Sequence, residues 1–384
     1  MTSNKTLSLV IIVVAQFLCT SLWFSGNAVV QQILKHLAEG TQSASWMTSS
    51  VQLGFICGTL FYALFTIPDR FNATTVFLIS AILGAVANGL ISLQSSFWSV
   101  ITRRASTGFF LAGIYPVGMK IAADYFEKSL EVSMGFLVGA LVLGTASPHL
   151  IAAVGANFNW KFVLYVTSFL AFLGGLLMKI FIRSSVSEKP KSLVRSGNLR
   201  LVFKDKRFRS AALGYFGHMW ELYTFWAFVP LLILSNRHFE GSSGSQTSLL
   251  AFMVIGMGAI SCFLSGFLAV KNGTQRSVRF FLACSALCCL TIPFFTSASP
   301  IFFVAFLIFW GMMVIADSPL LSTLVAQNAA KSLKGTALTI VTCIGFALTI
   351  LSIQFAGFFI NSGGDQYLGL LLLPGPIIGL IALK

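Results

Sequence analysis

The sequence predicts an all-α membrane protein with about twelve transmembrane helices in two pseudo-symmetric six-helix halves, both termini lying in the cytoplasm. Three observations carry this. Of 384 residues, 56% are hydrophobic and only 9% are Asp, Glu, Lys or Arg, where soluble domains hold about 25% charged residues. With a mean hydropathy of +0.87, the chain cannot cover a water-facing surface of its own size, so lipid is the solvent for most of it. Its apolar residues fall into about twelve runs, each near the ~20 residues that span hydrocarbon. Its Lys and Arg residues alternate from loop to loop, which sets an orientation.

The first run, 7–32, is too long for a cleaved signal peptide, has no clear small-residue cleavage site and ends in the polar SGNAVVQQ, so it reads as the first helix. Runs 45–67, 73–94, 97–121, 131–154 and 159–182 complete an N-terminal half, 1–183. Segment 184–209 reads as a basic cytoplasmic linker, with Pro190, several serines, Lys189, Lys191, Arg195, Arg200, Lys204, Lys206 and Arg207, and a short surface helix around 199–209. Runs 210–234, 247–270, 277–296, 300–325, 334–359 and 366–383 form a C-terminal half, 210–384. With the N-terminus inside, the cytoplasmic side holds that linker and Arg70, Lys128, Lys271, Arg276, Arg279, Lys331 and Lys334. The opposite side holds only Lys35, Lys161 and Arg237. The net charge of +14 is therefore a positive-inside pattern and not a nucleic-acid surface.

Cys19, Cys57, Cys262, Cys284, Cys288, Cys289 and Cys343 all fall in apolar runs without zinc-site spacing, and read as small buried hydrophobes. The sequence contains no Gly-Lys-Ser/Thr nucleotide loop, ATPase module or His/Cys metal cluster. It points neither to an enzyme nor to a primary pump, and it implies no cofactor and no metal.

One run carries an anomaly. Leu213–Pro230 reads LGYFGHMWELYTFWAFVP and sets Glu221, with His218 one turn before it, among apolar and aromatic residues. A charge at the centre of a membrane helix costs roughly 2.5–3.5 kcal/mol on insertion scales, so such a residue is a functional-site candidate. Asp317, in the tenth run, is the other acid at that depth.

Several motifs carry a resemblance. After the second run, Gly58-TLFYALFTIP-Asp69-Arg70-Phe71 looks like a divergent loop motif in which an Asp-Arg pair latches helix ends; Asn72 follows where Gly-Arg-Lys is usual. The fourth run holds Arg104-AST-Gly108-FFL-Ala112-GIY-Pro116, with Phe110 in place of a second glycine. The fifth holds Gly135-FLV-Gly139-ALVL-Gly144-TAS-Pro148, with Gly139-Ala140 where an exchanger-type motif has Gly-Pro. These resemble the major facilitator superfamily. AGIYPVGMK, GHMWELYTFWAF and IADSPLLS look like its bacterial branch grouped with cyanate, nitrate and nitrite transporters. The resemblance implies a monomeric, multi-pass protein of the bacterial inner membrane, a conformational latch at Asp69 and Arg70, and a central cavity lined by runs 1, 4, 7 and 10.

Intramembrane polar residues fall on those same runs. Gln16, Thr20, Trp23 and Asn27 share one helical face, as do Arg104, Gly108, Leu111 and Tyr115; Gly214, His218, Glu221 and Phe225; and Trp310, Val314, Asp317 and Leu321. The candidate cavity set is Gln16, Trp23, Asn27, Arg104, Tyr115, His218, Glu221, Phe225, Trp310 and Asp317. Each has a plainer reading: the acids pairing with Arg104 to hold helices, the aromatics packing, Gln16 and Asn27 bonding between helices. Lys120 and Arg103 read as residues that snorkel to the interface. Pro116, Pro148, Pro319, Pro374 and Pro376 read as points where helices bend.

The expected function is that of a secondary transporter working by alternating access, moving a small organic or inorganic anion with protons. Arg104 would hold the anion. Glu221, with His218 beside it, would exchange the proton, and Asp317 is the second candidate. The alternative is proton-driven export of amphipathic compounds recognised by the aromatic residues. A third expectation, from another class, is a non-transporting receptor or scaffold.

Overall fold

A computed structural model describes residues 5–40, 43–125, 130–183, 203–329, 334–362 and 367–384, and among them every regular element is a helix. The chain forms two units, Met1–Val194 and Arg195–Lys384. In the first lie α1 (Lys5–Thr20), α2 (Val30–His36), α3 (Ala44–Leu64), the single turn α4 (Ile67–Arg70), α5 (Ala73–Gly89), α6 (Phe97–Leu111), α7 (Tyr115–Tyr125), α8 (Leu130–Val154) and α9 (Lys161–Phe181). In the second lie α10 (Lys206–Leu234), α11 (Gly244–Gly256), α12 (Gly258–Asn272), α13 (Thr274–Phe295), α14 (Pro300–Ala316), α15 (Ser318–Asn328), α16 (Lys334–Asn361), α17 (Leu368–Leu372) and α18 (Pro374–Ala382). Counting Ala73–Leu93, Gly244–Asn272 and Pro300–Asn328 as single spans, eight are long and apolar enough to cross a membrane. Each apolar run of the sequence coincides with one or two of these helices.

Helix starts follow ordinary chemistry. Asn72 accepts hydrogen bonds from the Thr74 and Thr75 amides ahead of α5, Ser96 from Ser99 ahead of α6, and Asp205 from Arg207 and Phe208 ahead of α10. The Asp205 cap corrects one expectation: residues 206–209 form no separate surface helix but are the first turn of α10, while 199–202 lie outside the described residues. α10 is 29 residues long, and its basic first turn, His218 and Glu221 keep it out of the purely apolar class.

The single continuous faces expected in runs 1, 4 and 10 are also corrected. α1 ends at Thr20 and α2 begins at Val30; α6 ends at Leu111 and α7 begins at Tyr115; α14 ends at Ala316 and α15 begins at Ser318. Prolines explain two of these breaks. Pro116 and Pro319 each stand second in the following helix, where a missing amide costs nothing and the ring disfavours a continuous helix through the residues before it. Pro374 likewise opens α18, whereas Pro148 lies inside α8 without ending it.

The two units pair their helices alike. In unit 1, α1 packs on α9 and α8, α3 on α6, and α5 on α6 and α9; in unit 2, α10 packs on α18 and α16, α12 on α14, and α13 on α14 and α18. Matching partners in matching order are what a duplicated six-helix repeat produces. The crossing of the second and fourth spans is close enough for backbones to touch. A Cβ on Gly108 would lie 2.0 Å from the Val51 carbonyl oxygen, and one on Gly54 would lie 1.8 Å from that of Ala105. In unit 2, a Cβ on Gly311 would lie 2.2 Å from the Val254 carbonyl oxygen. Since the blocking atoms are backbone, Gly108→Ala is expected to cost about 3 kcal/mol or more. A lowered unfolding temperature of the purified protein checks it.

Near the expected latch, Thr66 adopts a left-handed conformation (φ +49°) before the α4 turn. Lys120, expected to snorkel to the interface, instead donates a 2.7 Å hydrogen bond to the Pro68 carbonyl. It thus ties α7 to the α4 turn that carries Asp69 and Arg70. The Asp69 side chain lies outside the described residues.

Candidate functional site

Among the described residues, unit 1 gathers its buried charge in one cluster and unit 2 in two separate places. The centre of the unit 1 cluster is Arg104, whose side chain is fully buried on α6. Nε points to the Met47 carbonyl at 3.5 Å, Nη1 donates to the Leu22 carbonyl and Ser25 Oγ (both 3.2 Å), and Nη2 donates to the Trp23 carbonyl (2.7 Å) and Asn27 Oδ1 (3.2 Å). A guanidinium has five N–H donors, and all five are committed. Two of the acceptors are carbonyls just past the end of α1, where a helix leaves such groups without partners. Arg104 thus acts as the cap of a broken helix and holds residues 21–29 in their turns.

The network continues outward. Ser25 Oγ donates to Asn88 Oδ1 (2.5 Å), and Asn88 Nδ2 reaches the Leu164 carbonyl, Thr167 Oγ1 and Ser168 Oγ at 3.0–3.1 Å. Asn27 Nδ2 donates to Thr48 Oγ1. The first, second, third, fourth and sixth spans are joined through one cation. The N–H groups expected to hold a substrate anion are here all turned to acceptors of the protein itself. Ser25 and Asn88 were missed by sequence reasoning; an asparagine among small residues in the third run was the available signal.

In unit 2 the acids are separate stations. Glu221 is buried on α10, and its Oε1 accepts from Ser285 Oγ (2.5 Å), Trp310 Nε1 (2.9 Å) and Cys289 Sγ (3.4 Å). Trp310 packs at 4.6 Å between ring centroids on Phe225, one turn beyond Glu221. The spacing leads one to expect His218 beside Glu221; instead it lies against Asp317. Its Nδ1 lies 2.7 Å from Asp317 Oδ1, with both side chains buried, a close contact that is not aligned as a hydrogen bond. Asp317 occupies the junction between α14 and α15 and its carbonyl accepts from the Leu321 amide at 2.8 Å.

The remaining candidates are scattered. Gln16 is buried on α1, its Oε1 only 2.1 Å from where a Gly118 Cβ would stand. Trp23 packs against Phe55 at 4.8 Å. Tyr115 opens α7, half-buried. Arg103 is exposed, as expected. Among the cysteines, Cys19, Cys262 and Cys288 are buried as expected, but Cys284 and Cys343 are only half-buried, Cys57 is exposed, and the buried Cys289 is a donor to Glu221. Ser285 and Cys289, four residues apart on α13, were the signal for that pair.

The sequence pattern of the Major Facilitator Superfamily matches residues 11–353, most of the chain. The chain belongs to that superfamily. Over 150 residues it is 27% identical to the inner membrane transport protein YnfM of Escherichia coli, covering 37% of this chain and 36% of that one. Over 208 residues it is 21% identical to the hexuronate transporter of Escherichia coli, covering 49% and 48%. The chain thus aligns with about half or less of the length of these relatives. A crystal structure of a point mutant of the nucleoside transporter NupG superposes with a TM-score of 0.75 at 14% identity, covering 98% of each chain. That likeness shows the fold.

Proposed function

We propose that the protein is a secondary transporter of a small polar solute, working by alternating access and driven by protons exchanged at the unit 2 acids. It acts as a monomer in the bacterial inner membrane and is not an enzyme. Membership of the superfamily supports transport, as do the names of the relatives. The observation that carries the proton coupling is the pair of buried acids in one unit, each held by named partners within hydrogen-bonding distance. A helix bundle gains little by keeping Glu221 and Asp317 for packing alone, given what each costs to bury. The hexuronate transporter's name fits a hydroxyl-rich solute. The anionic solute expected from the sequence has lost its main support, since Arg104 is occupied by its own unit.

Glu221→Gln tests this reading. The amide keeps an oxygen for Ser285, Trp310 and Cys289, so the variant should fold, with an unfolding temperature within a few degrees of the parent, about the effect of 1 kcal/mol. In proteoliposomes, solute counterflow should survive while acceleration by a pH gradient falls. Uptake that stays fully pH-driven would remove Glu221 from the coupling. Counterflow of no candidate solute by the parent protein would remove transport itself.

A further inference from the structure

Buried polar atoms without partners are scarce in folded proteins, and each one asks for an explanation. Unit 1 gathers several. Both carboxamide atoms of Gln16 and of Gln52, Thr145 Oγ1 and both ring nitrogens of His149 are buried and unpartnered among the described residues. Gln16, Gln52 and Thr145 are wholly buried, and His149 is 2% exposed. The Arg104 network uses none of them.

Helix register brings these residues within about two turns of one another. α1 meets α8 at Thr20, whose Oγ1 lies 2.0 Å from where a Gly144 Cβ would stand. Further along both chains, Ile151 and Ala152 of α8 pack on the apolar cluster that holds Val29 and Ile33. α8 therefore runs parallel to residues 20–29, and Thr145 and His149 stand beside that unwound segment. His149 is five residues past Gly144, about 7.5 Å at 1.5 Å per residue. α3 borders the same segment: Thr48 bonds Asn27 and Phe55 packs on Trp23. Gln52 lies between those two contacts. The segment Arg104 holds in place is thus bordered by α3 and α8, the helices that carry these unpaired hydrogen-bonding groups, with Gln16 one turn beneath Thr20 on α1.

We propose that Gln52, Thr145 and His149, with Gln16 below them, form a binding site for an uncharged polyhydroxylated solute, a sugar or polyol. The chemistry of the set decides the class. A carboxamide offers donors and an acceptor, a neutral imidazole offers one of each, and a hydroxyl offers both. A solute hydroxyl is itself donor and acceptor, so it matches every member. No Asp, Glu, Lys or Arg belongs to the set, and the neighbouring guanidinium has spent its donors. A site made of such groups recognises hydroxyls and discriminates sharply against analogues without them, because an unmatched polar group stays unpaired. The side chains are closed off from solvent here, so binding belongs to another step of the transport cycle. Arg104 then becomes a positioning residue, shaping the segment between the binding groups.

The inference rests on the transport reading for its purpose, but its test does not. The full-length protein in detergent, at constant pH and without a gradient, is titrated with glucose, galactose and mannitol, and with glucuronate and gluconate as carboxylate counterparts. Thermal shift and equilibrium binding are the readouts. At least one uncharged member should raise the unfolding temperature. Gln52→Met, Thr145→Val and His149→Phe should each weaken its binding about tenfold, the effect of one hydrogen bond at the upper end of its usual range. The same variants should unfold at the parental temperature or above it, since an apolar group of similar size replaces an unpaired polar one. A structural role for these side chains would lower that temperature instead. The proposal is overturned if no uncharged member shifts the protein, if only the carboxylates do, or if the variants keep parental affinity. A protein that binds a polyol yet ignores a pH gradient would defeat the coupling reading and leave this site standing.

Discussion

Arg104→Leu is expected to destabilise unit 1 by about 3–5 kcal/mol, because several buried acceptors lose their donor at about 1–3 kcal/mol each. Hydrogen bonds to a charged group are worth roughly 1.5–3 kcal/mol each, and Arg104 makes five, three of them to main-chain carbonyls. Without it the Trp23 carbonyl loses its cap and Ser25 and Asn27 lose a donor, so the turns that follow α1 keep only their own backbone bonds and those to Asn88 and Thr48. Part of the loss is returned, because leucine also relieves the burial of a cation that has no carboxylate partner among the described residues. Arg104→Lys separates the two explanations for the residue. An ammonium keeps the charge but offers three donors from one point in place of a planar fork. A capping role predicts that lysine fails almost as badly as leucine in thermal unfolding. An anion-binding role predicts that lysine unfolds normally and loses only some affinity for carboxylate solutes.

The gross layout was legible because it depends on composition over long windows. Twenty apolar residues between basic loops mean a span whatever their order, and the described helices fall on the expected runs. The breaks within spans were harder to read. SLWFSGN after α1 is rich in small polar residues, and Gly113 and Pro319 punctuate two other runs, but a 3.6-residue period laid across them still returns a plausible face. The partners of the buried charges were the least legible. Arg104 binds carbonyls, which carry no sequence signature at all. His218 and Glu221 are three residues apart and look like neighbours, yet that spacing sets them about 60° apart around α10. The angle is enough to turn one towards Asp317 and the other towards Ser285 and Trp310. The hydrogen-bonding groups around residues 21–29 escaped notice for a related reason: Gln52, Thr145 and His149 sit in runs that the cavity expectation did not include.

Asp317→Asn is expected to reduce gradient-driven uptake at least tenfold while leaving counterflow and solute binding near their parental values. Asp317 stands at the junction of α14 and α15, where the helix is interrupted and Pro319 prevents its repair. Its carboxylate faces His218 at 2.7 Å across two buried surfaces. A proton added to or removed from this pair therefore changes the attraction between α10 and the break in the tenth span, in surroundings where little water screens it. Asparagine keeps the shape and an acceptor for His218 but fixes the charge, so the junction stays in place and the exchange is lost. Glu221 differs: its Oε1 is surrounded by three donors, two of them side chains of α13, and it sits within one helix instead of at a junction. The pair should accordingly dominate the coupling. His218→Gln should reproduce the loss in part, and the double variant should be no worse than Asp317→Asn alone, since two residues that act as one unit do not add. If the two losses do add, or if Asp317→Asn retains parental uptake under a pH gradient, the coupling lies elsewhere and the pair is a fastening between α10 and the tenth span.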